Sequence, residues 1–116
     1  MSSNERLTDL TYLKEASSEN YNFIKEMIGI FLNQTPEYLD SLKENSENQK
    51  WDEFKKVLHK LKPTITMMGM KKGDLLVKEM ESLIKSQSMD EVPPLFAELE
   101  NMCRQAFVEL QEELGK

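Results

Sequence analysis

The sequence has few of the residues on which many functional classes depend. It contains one cysteine, Cys103, and one histidine, His59, so neither a disulfide framework nor a His/Cys metal cluster can form within one chain. No apolar run approaches the roughly 18 residues that a membrane span requires. The opening residues lack the basic-then-apolar pattern of a signal peptide. We therefore expect no metal, no cofactor and no membrane contact, and a cytoplasmic location.

Glycine and proline are also scarce, at four residues each, while 39% of the residues are hydrophobic. A chain of 116 residues with this composition is expected to form one domain, spanning residues 1–116, around a single core. The net charge of −6 disfavours nucleic-acid binding. A broad acidic surface of this kind also favours a monomer.

Apolar residues recur at spacings of three and four along nearly the whole chain, the pattern of amphipathic helices. The pattern predicts a short N-terminal helix with Thr8 as its N-cap, ending near Ala16. Four longer helices follow. The first spans about 20–46, the second spans about 51–68, the third has about three turns and ends near residue 85, and the fourth runs from residue 92 to the end of the chain. Because the connections are short, we predict an all-α fold: an up-down antiparallel four-helix bundle with a short extra N-terminal helix.

Turn-forming residues mark the breaks between the predicted helices. Residues 17–20 predict a turn and a new helix start, residues 45–50 a polar connection, and residues 87–90 a loop. Gly69 and Gly73 mark the end of the helix that begins at Trp51 and the turn after it. Thr35-Pro36 indicates either a fresh helix cap or a kink in one longer helix.

Positive charge is concentrated in one segment. Residues 50–72 carry seven lysines against Asp52 and Glu53, whereas the segments on either side are acidic. The positive segment also contains His59, so the only imidazole of an acidic chain lies among its lysines.

A helical wheel places this imidazole on the outside of its helix. His59 lies about 140° from Phe54, which belongs to the predicted core face. Lys55, Lys62 and Thr66 stand on the same stripe as His59, at spacings of four, three and seven residues respectively. The sequence therefore predicts a solvent-facing imidazole with ammonium groups above and below it.

Such a site can accept a phosphoryl group but cannot make one from ATP. Neutral imidazole is a nucleophile near neutral pH, and nearby cations stabilise the negative charge of a transferred phosphoryl group. The sequence has no Gly-rich phosphate loop that could bind a nucleotide. A functionless histidine on a solvated, lysine-rich helix face is the alternative interpretation.

The segment of residues 59–69 resembles the signature of histidine-containing phosphotransfer (HPt) domains. Four of its residues stand at the positions that the family pattern requires: His59, Leu61, Lys62 and Gly69. Thr64 stands where the family usually has serine.

The resemblance extends over nearly the whole chain, with one departure. Residues 31–36 resemble an earlier helix segment of the family, and Glu81 resembles the acidic position of a later helix. Pro63 stands where the family usually has glycine. Because proline has no N–H, it cannot donate to the carbonyl four residues before it, which belongs to His59. We nevertheless predict that Pro63 bends the helix without ending it, giving one kinked helix from about Trp51 to about Met68.

The resemblance implies a carrier in a multistep phosphorelay. His59 would accept a phosphoryl group from an aspartate of one receiver domain and pass it to another, while the receiver supplies Mg²⁺ and most of the catalysis. The implied partners are response-regulator receiver domains or a hybrid sensor histidine kinase. The chain itself would be no enzyme, because it lacks an ATP site.

The resemblance also assigns roles to the neighbours of the histidine. Lys62 would steady the phosphoryl group, within an environment that includes Lys55 and Thr66. Gly69 would allow close helix packing near the site. Gln34 would hydrogen-bond the imidazole from the neighbouring helix, although an ordinary polar surface position explains it equally well.

Two other functions stay open at this point. The same bundle could dock a receiver or kinase domain as an adaptor without phosphotransfer, but an adaptor has no need of both His59 and Lys62. An enzyme with its own substrate is disfavoured by the absence of a cleft motif or cofactor site.

A second apolar stripe on the helix over about 20–33 predicts a docking surface. It consists of Phe23, Met27 and Ile30, with Gln34 on the same line. A single bundle helix rarely needs so wide an apolar face, and exposed apolar patches mark interaction sites. The alternative is that the N-terminal helix covers this stripe through Leu10 and Leu13.

Overall fold

The computed structural model describes residues 6–18 and 20–115, in which all regular secondary structure is helical and no strand is present. The helices are α1 (Thr11–Ala16), α2 (Tyr21–Glu47), α3 (Trp51–Met67), α4 (Lys71–Lys85) and α5 (Val92–Leu114). The predicted all-α class is therefore confirmed. Three parts of the chain lie outside the described residues: the opening residues 1–5, Glu19 in the predicted turn over residues 17–20, and Lys116 at the end of the predicted last helix.

Two prolines lie inside helices, and neither ends its helix. Pro36 lies within α2, so the interpretation of Thr35-Pro36 as part of one longer helix is the correct one. Pro63 lies within α3, which continues to Met67 as predicted. Continuation past the proline keeps Ile65 fully buried. Burying such a side chain contributes roughly 1.5–3 kcal/mol, enough to offset the one helical hydrogen bond that proline removes.

The four long helices enclose one core. Both α2 and α4 pack against α3 and α5. Edge-to-face ring pairs link the helices, with Phe31 against Phe107 and Phe54 against Phe96. The largest fully buried side chains include Phe31, Phe54, Leu42, Leu58, Leu61, Ile65, Met80 and Leu99.

Several predicted boundaries were wrong, most clearly at Gly73. This residue lies buried inside α4 and not in a turn. A Cβ at Gly73 would come within 2.9 Å of the Ile65 side chain, so the missing side chain lets α3 and α4 approach closely. The connection from α2 to α3 is only residues 48–50, because α2 extends to Glu47. Part of the loop predicted over residues 87–90 is a 3-10 helix, Met89–Glu91.

Thr8 is not the N-cap of the first helix, which begins later, at Thr11. The Asp9 carboxylate accepts a hydrogen bond from the Thr11 N–H at 2.9 Å. Thr8 is buried and instead contacts Glu109 of α5, because its hydroxyl donates to the Glu109 Oε1 at 2.7 Å. Threonine favours N-cap positions, but here the hydrogen bond from Thr8 to Glu109 determines where Thr8 lies.

Residues 6–10 form a non-helical segment, here termed the strap, that joins α5 to the connection between α3 and α4. The backbone N–H groups of Leu7 and Thr8 each donate to the Glu109 carboxylate at 3.0 Å. The Asp9 N–H donates to the Met68 carbonyl at 2.9 Å. Burial works to raise the pKa of Glu109, but these hydrogen bonds outweigh it and hold the pKa below its ordinary value.

Candidate functional site

His59 lies exposed on α3, on the face that the helical wheel predicts. Beside it is an open depression of about 450 Å³. Most of its lining comes from α3, but one residue comes from α4: the depression is lined by Glu53, Lys55, Lys56, Val57, His59, Lys60 and Glu81. The imidazole is thus accessible to another molecule and surrounded by charged side chains.

The lysines around the imidazole differ in their partners. Lys55 and Lys60 are exposed, and neither forms an ion pair with any residue that the structure describes. Lys56 pairs at 3.4 Å with Glu53 of its own helix, and both side chains are exposed. Lys55 and Lys60 therefore present positive charge that no carboxylate in the described part of the chain neutralises.

Lys62 behaves differently, because it crosses to α4. Its Nζ lies 3.1 Å from the Glu81 Oε1, and the exposed side-chain fractions are 40% for Lys62 and 23% for Glu81. The resemblance places an acidic residue at Glu81 but does not predict this ion pair. The helical wheel does indicate that Lys62 faces a neighbouring helix, since Lys62 lies about 80° from Phe54 and is nearer to the core face than His59.

Thr66 is exposed on α3, and its hydroxyl is engaged at the start of α4. The oxygen lies 2.7 Å from the Asp74 Oδ1 and 3.1 Å from the Lys62 carbonyl oxygen. A hydroxyl has one proton to donate, and the Asp74 carboxylate is the nearer acceptor. Thr66 therefore links α3 to α4, and its position in the phosphoryl environment stays a prediction.

Gly69 has a role other than the predicted helix packing. It lies in the connection between α3 and α4 with φ of +68°, a left-handed conformation that favours glycine. A Cβ at this position would overlap the carbonyl oxygen of Asp9 in the strap. Gly69 therefore allows the strap to approach the end of α3, while close packing between α3 and α4 depends on Gly73.

Gln34 is exposed on α2, and its side chain makes no hydrogen bond to any residue that the structure describes. The structure therefore does not form the predicted hydrogen bond from Gln34 to the imidazole. Its present surroundings are those of a polar surface residue.

The apolar stripe on α2 stays largely uncovered. Phe23 is 41% exposed and Ile30 is 39% exposed, while Met27 between them is half-buried. Leu10 of the strap and Leu13 of α1 are buried in the core, yet these segments leave Phe23 and Ile30 exposed. The alternative in which the N-terminal helix conceals the stripe is therefore wrong for these two side chains.

Comparison with protein families identifies the chain. The family model of the Hpt domain matches residues 26–108, which is more than half of the chain, so the chain belongs to the Hpt domain family. Membership implies a histidine phosphotransfer role in phosphorelays, with receiver domains and kinases as the partners of the family. Members are phosphocarriers and have no ATP site of their own.

The matched range contains His59, the single histidine of the sequence. Comparison with curated proteins and with solved structures gave no match. Across the part of the chain that the structure describes, no helix is long and apolar enough to cross a bilayer.

Proposed function

We propose that His59 is the phosphoacceptor of a phosphorelay, taking a phosphoryl group from an aspartate of one receiver domain and passing it to an aspartate of another. One observation carries the proposal: the only histidine of an Hpt-family chain lies exposed on α3 among lysines. Exposure matters because the aspartyl phosphate of a partner must reach the ring nitrogen directly.

The transfer step needs a nucleophile and positive charge, and α3 supplies both. The unprotonated ring nitrogen of His59 attacks phosphorus, a P–N bond forms, and the P–O bond to the aspartate breaks as the carboxylate leaves. Lys62 and Lys55 stabilise the charge on the phosphoryl oxygens. The receiver domain provides the Mg²⁺ and the remaining catalytic groups, and the reverse of the same step passes the group on.

The stripe of Phe23, Met27 and Ile30 serves as the docking surface for the receiver domain. Its support is the exposure of Phe23 and Ile30, two large apolar side chains one above the other on α2. Burying these two side chains against the receiver domain would contribute apolar contact area. The lysines of α3 would then contact the acidic residues around the phosphorylated aspartate of the receiver.

The fold assignment can be refined in the same way. The Tyr21 hydroxyl contacts the Glu113 carbonyl oxygen at 3.2 Å and Phe31 packs on Phe107, which is the order of contacts for antiparallel α2 and α5. The Lys62–Glu81 and Thr66–Asp74 contacts give the same order for α3 and α4. We infer an up-down four-helix bundle that acts as one domain, as a monomer, in the cytoplasm.

Incubation with a phosphorylated receiver domain tests the proposal. The expected product is label on this chain that is labile in acid and stable in base, as for phosphohistidine, and His59→Gln abolishes it. The variant stays folded, because an exposed helix position tolerates substitution within about 0.5 kcal/mol. An adaptor would bind the receiver without taking up label, and label in the His59→Gln variant would contradict the mechanism.

A further inference from the structure

Glu81 links α4 to the phosphoacceptor site through Lys62. Its Oε1 lies 3.1 Å from the Lys62 Nζ, and its side chain also lines the depression beside His59. Lys62 stands three residues after His59, about one turn along α3. Lys62 therefore lies next to the His59 imidazole on α3 and also contacts the Glu81 carboxylate on α4.

Glu81 differs from the other acidic residue in this depression. Glu53 is on the same helix as the lysines, is exposed, and pairs with the exposed Lys56. Glu81 comes from a different helix and keeps only 23% of its side chain exposed. Its backbone position is fixed because Met80 and Ile84 of α4 are buried in the core. The carboxylate is therefore held beside the site by the packing of the bundle.

We propose that Glu81 sets the phosphoryl-transfer equilibrium of His59 by competing with the phosphoryl group for Lys62, an inference that rests on the proposed function. Before transfer, Lys62 is paired with Glu81. When the ring nitrogen of His59 forms its bond to phosphorus and the aspartate leaves, Lys62 turns to the phosphoryl oxygens, and the proton on the other ring nitrogen stays on the ring. When the phosphoryl group moves to the next aspartate, Lys62 returns to Glu81.

This exchange makes phosphorylated His59 a better phosphoryl donor and lowers the fraction of the chain that stays phosphorylated at equilibrium. Acceptance of the phosphoryl group breaks the ion pair and leaves the partly buried carboxylate of Glu81 without its counter-ion, which is unfavourable. Donation restores the pair. Glu81 therefore destabilises the phosphorylated state relative to the free state, which suits a carrier that must pass the group onward.

Glu81→Gln tests the proposal, because it keeps the size of the side chain and removes the charge. The measurement is the fraction of label on this chain after equilibration with a receiver domain phosphorylated from acetyl phosphate. We expect the equilibrium to shift toward phosphohistidine by about tenfold, the effect of roughly one unit charge removed near a partly solvated site. Glu79→Gln is the matched control, since Glu79 is exposed on α4 and does not line the depression. It should change the equilibrium by less than about twofold, as expected for a screened surface charge.

A double-mutant cycle shows whether Glu81 acts through Lys62. In a Lys62→Met background, the effect of Glu81→Gln should fall from about tenfold to less than about twofold, because the shared cation is gone. A tenfold effect that persists without Lys62 would overturn the exchange, as would a Glu81→Gln variant indistinguishable from the wild type. Glu81→Asp provides a second variant, with the charge drawn back by one methylene and an intermediate effect expected.

The outcomes separate this inference from the proposed function. If the wild-type chain takes up no label at all, the assignment of His59 as phosphoacceptor fails. If the wild type is labelled and Glu81→Gln lowers or preserves the fraction of label, phosphotransfer stands and the competition for Lys62 is wrong.

Discussion

Two glutamates, Glu81 and Glu109, each bind a partner on another element, but their surroundings are opposite. Glu109 is only 7% exposed and accepts hydrogen bonds from the Leu7 N–H, the Thr8 N–H and hydroxyl, and the Gln105 amide. Glu81 has one partner, the Lys62 ammonium group, at a water-accessible position. Several neutral donors and the Arg6 guanidinium, whose Nε lies 3.6 Å from the Glu109 Oε1, hold Glu109, whereas one charged side chain holds Glu81.

The difference shows which contact supports the fold and which can change during function. Loss of the Glu109 carboxylate leaves backbone donors without a partner in a place that water reaches poorly. A partly exposed pair such as Lys62–Glu81 contributes only about 0–1 kcal/mol to stability. Such a pair can be broken and formed again without unfolding the bundle, while the contacts of Glu109 cannot.

The largest effect is expected for Glu109→Ala. Truncation removes the acceptor of several strap donors, and we expect the free energy of unfolding to fall by about 3 kcal/mol. Chemical denaturation measures this change. Phosphoryl acceptance by the remaining folded protein should be preserved, since the strap does not line the depression beside His59. A loss below about 0.5 kcal/mol, the range of ordinary surface substitutions, would contradict the contrast between the two glutamates.

The same carboxylate predicts a pH dependence of stability. The pKa of Glu109 is lowered from 4.5, so its contribution is fully present above pH 4.5 and is lost as the pH falls through the folded-state value. Thermal melts between neutral and acidic pH should therefore show a decline below pH 4.5 in the wild type. Glu109→Gln should be less stable at neutral pH and should decline less steeply. Equal slopes for the two proteins would rule out this linkage.

At the phosphoacceptor site, Lys62→Ala should slow phosphoryl transfer more than Lys55→Ala. Both lysines lie about one turn from His59, but the Lys62 side chain is only 40% exposed, whereas Lys55 is exposed. We expect losses of about tenfold and about threefold in the transfer rate, since a less hydrated cation stabilises developing charge better than a fully hydrated one. Rapid-quench transfer assays with one receiver domain compare the two variants. Equal losses would mean that only the general positive field matters.

The smallest effect on stability is expected for the α2 stripe. Phe23→Asp and Ile30→Asp replace exposed side chains and should change the free energy of unfolding by less than about 1 kcal/mol. Both should weaken receiver binding, which titration calorimetry can measure, because they place a charge in an apolar contact. Leu75→Asp is the matched control, as Leu75 is 66% exposed on α4, away from α2. Unfolding of the Phe23→Asp variant would show that this side chain belongs to the core after all.

Local periodicity was sufficient to predict the helices and the exposure of His59. A stripe of core residues fixes the orientation of α3, so the opposite face is known without coordinates. Pro63 illustrates the same logic, because Ile65 continues the core stripe in register beyond it.

Contacts between distant segments could not be predicted in this way. Thr8 and Glu109 are separated by 101 residues, and Lys62 and Glu81 by 19. In sequence, Glu109 looks like an ordinary charged residue of an amphipathic helix, and Thr8 looks like a helix cap. The two central glycines also looked alike, although Gly69 admits the strap and Gly73 admits a neighbouring helix. Only the packing of the bundle shows that the two glycines have different neighbours.

The thiol of Cys103 gives the protein an internal reporter of core opening. It is fully buried in α5, and burial, with a further contribution from the charge of Glu100, raises its pKa to about 12. The reactive thiolate is therefore almost absent while the bundle is closed. A thiol reagent will label Cys103 only when α5 separates from its neighbouring helices, so the labelling rate measures how often the core opens. A cysteine introduced at an exposed position can consequently carry a probe while the native thiol stays silent.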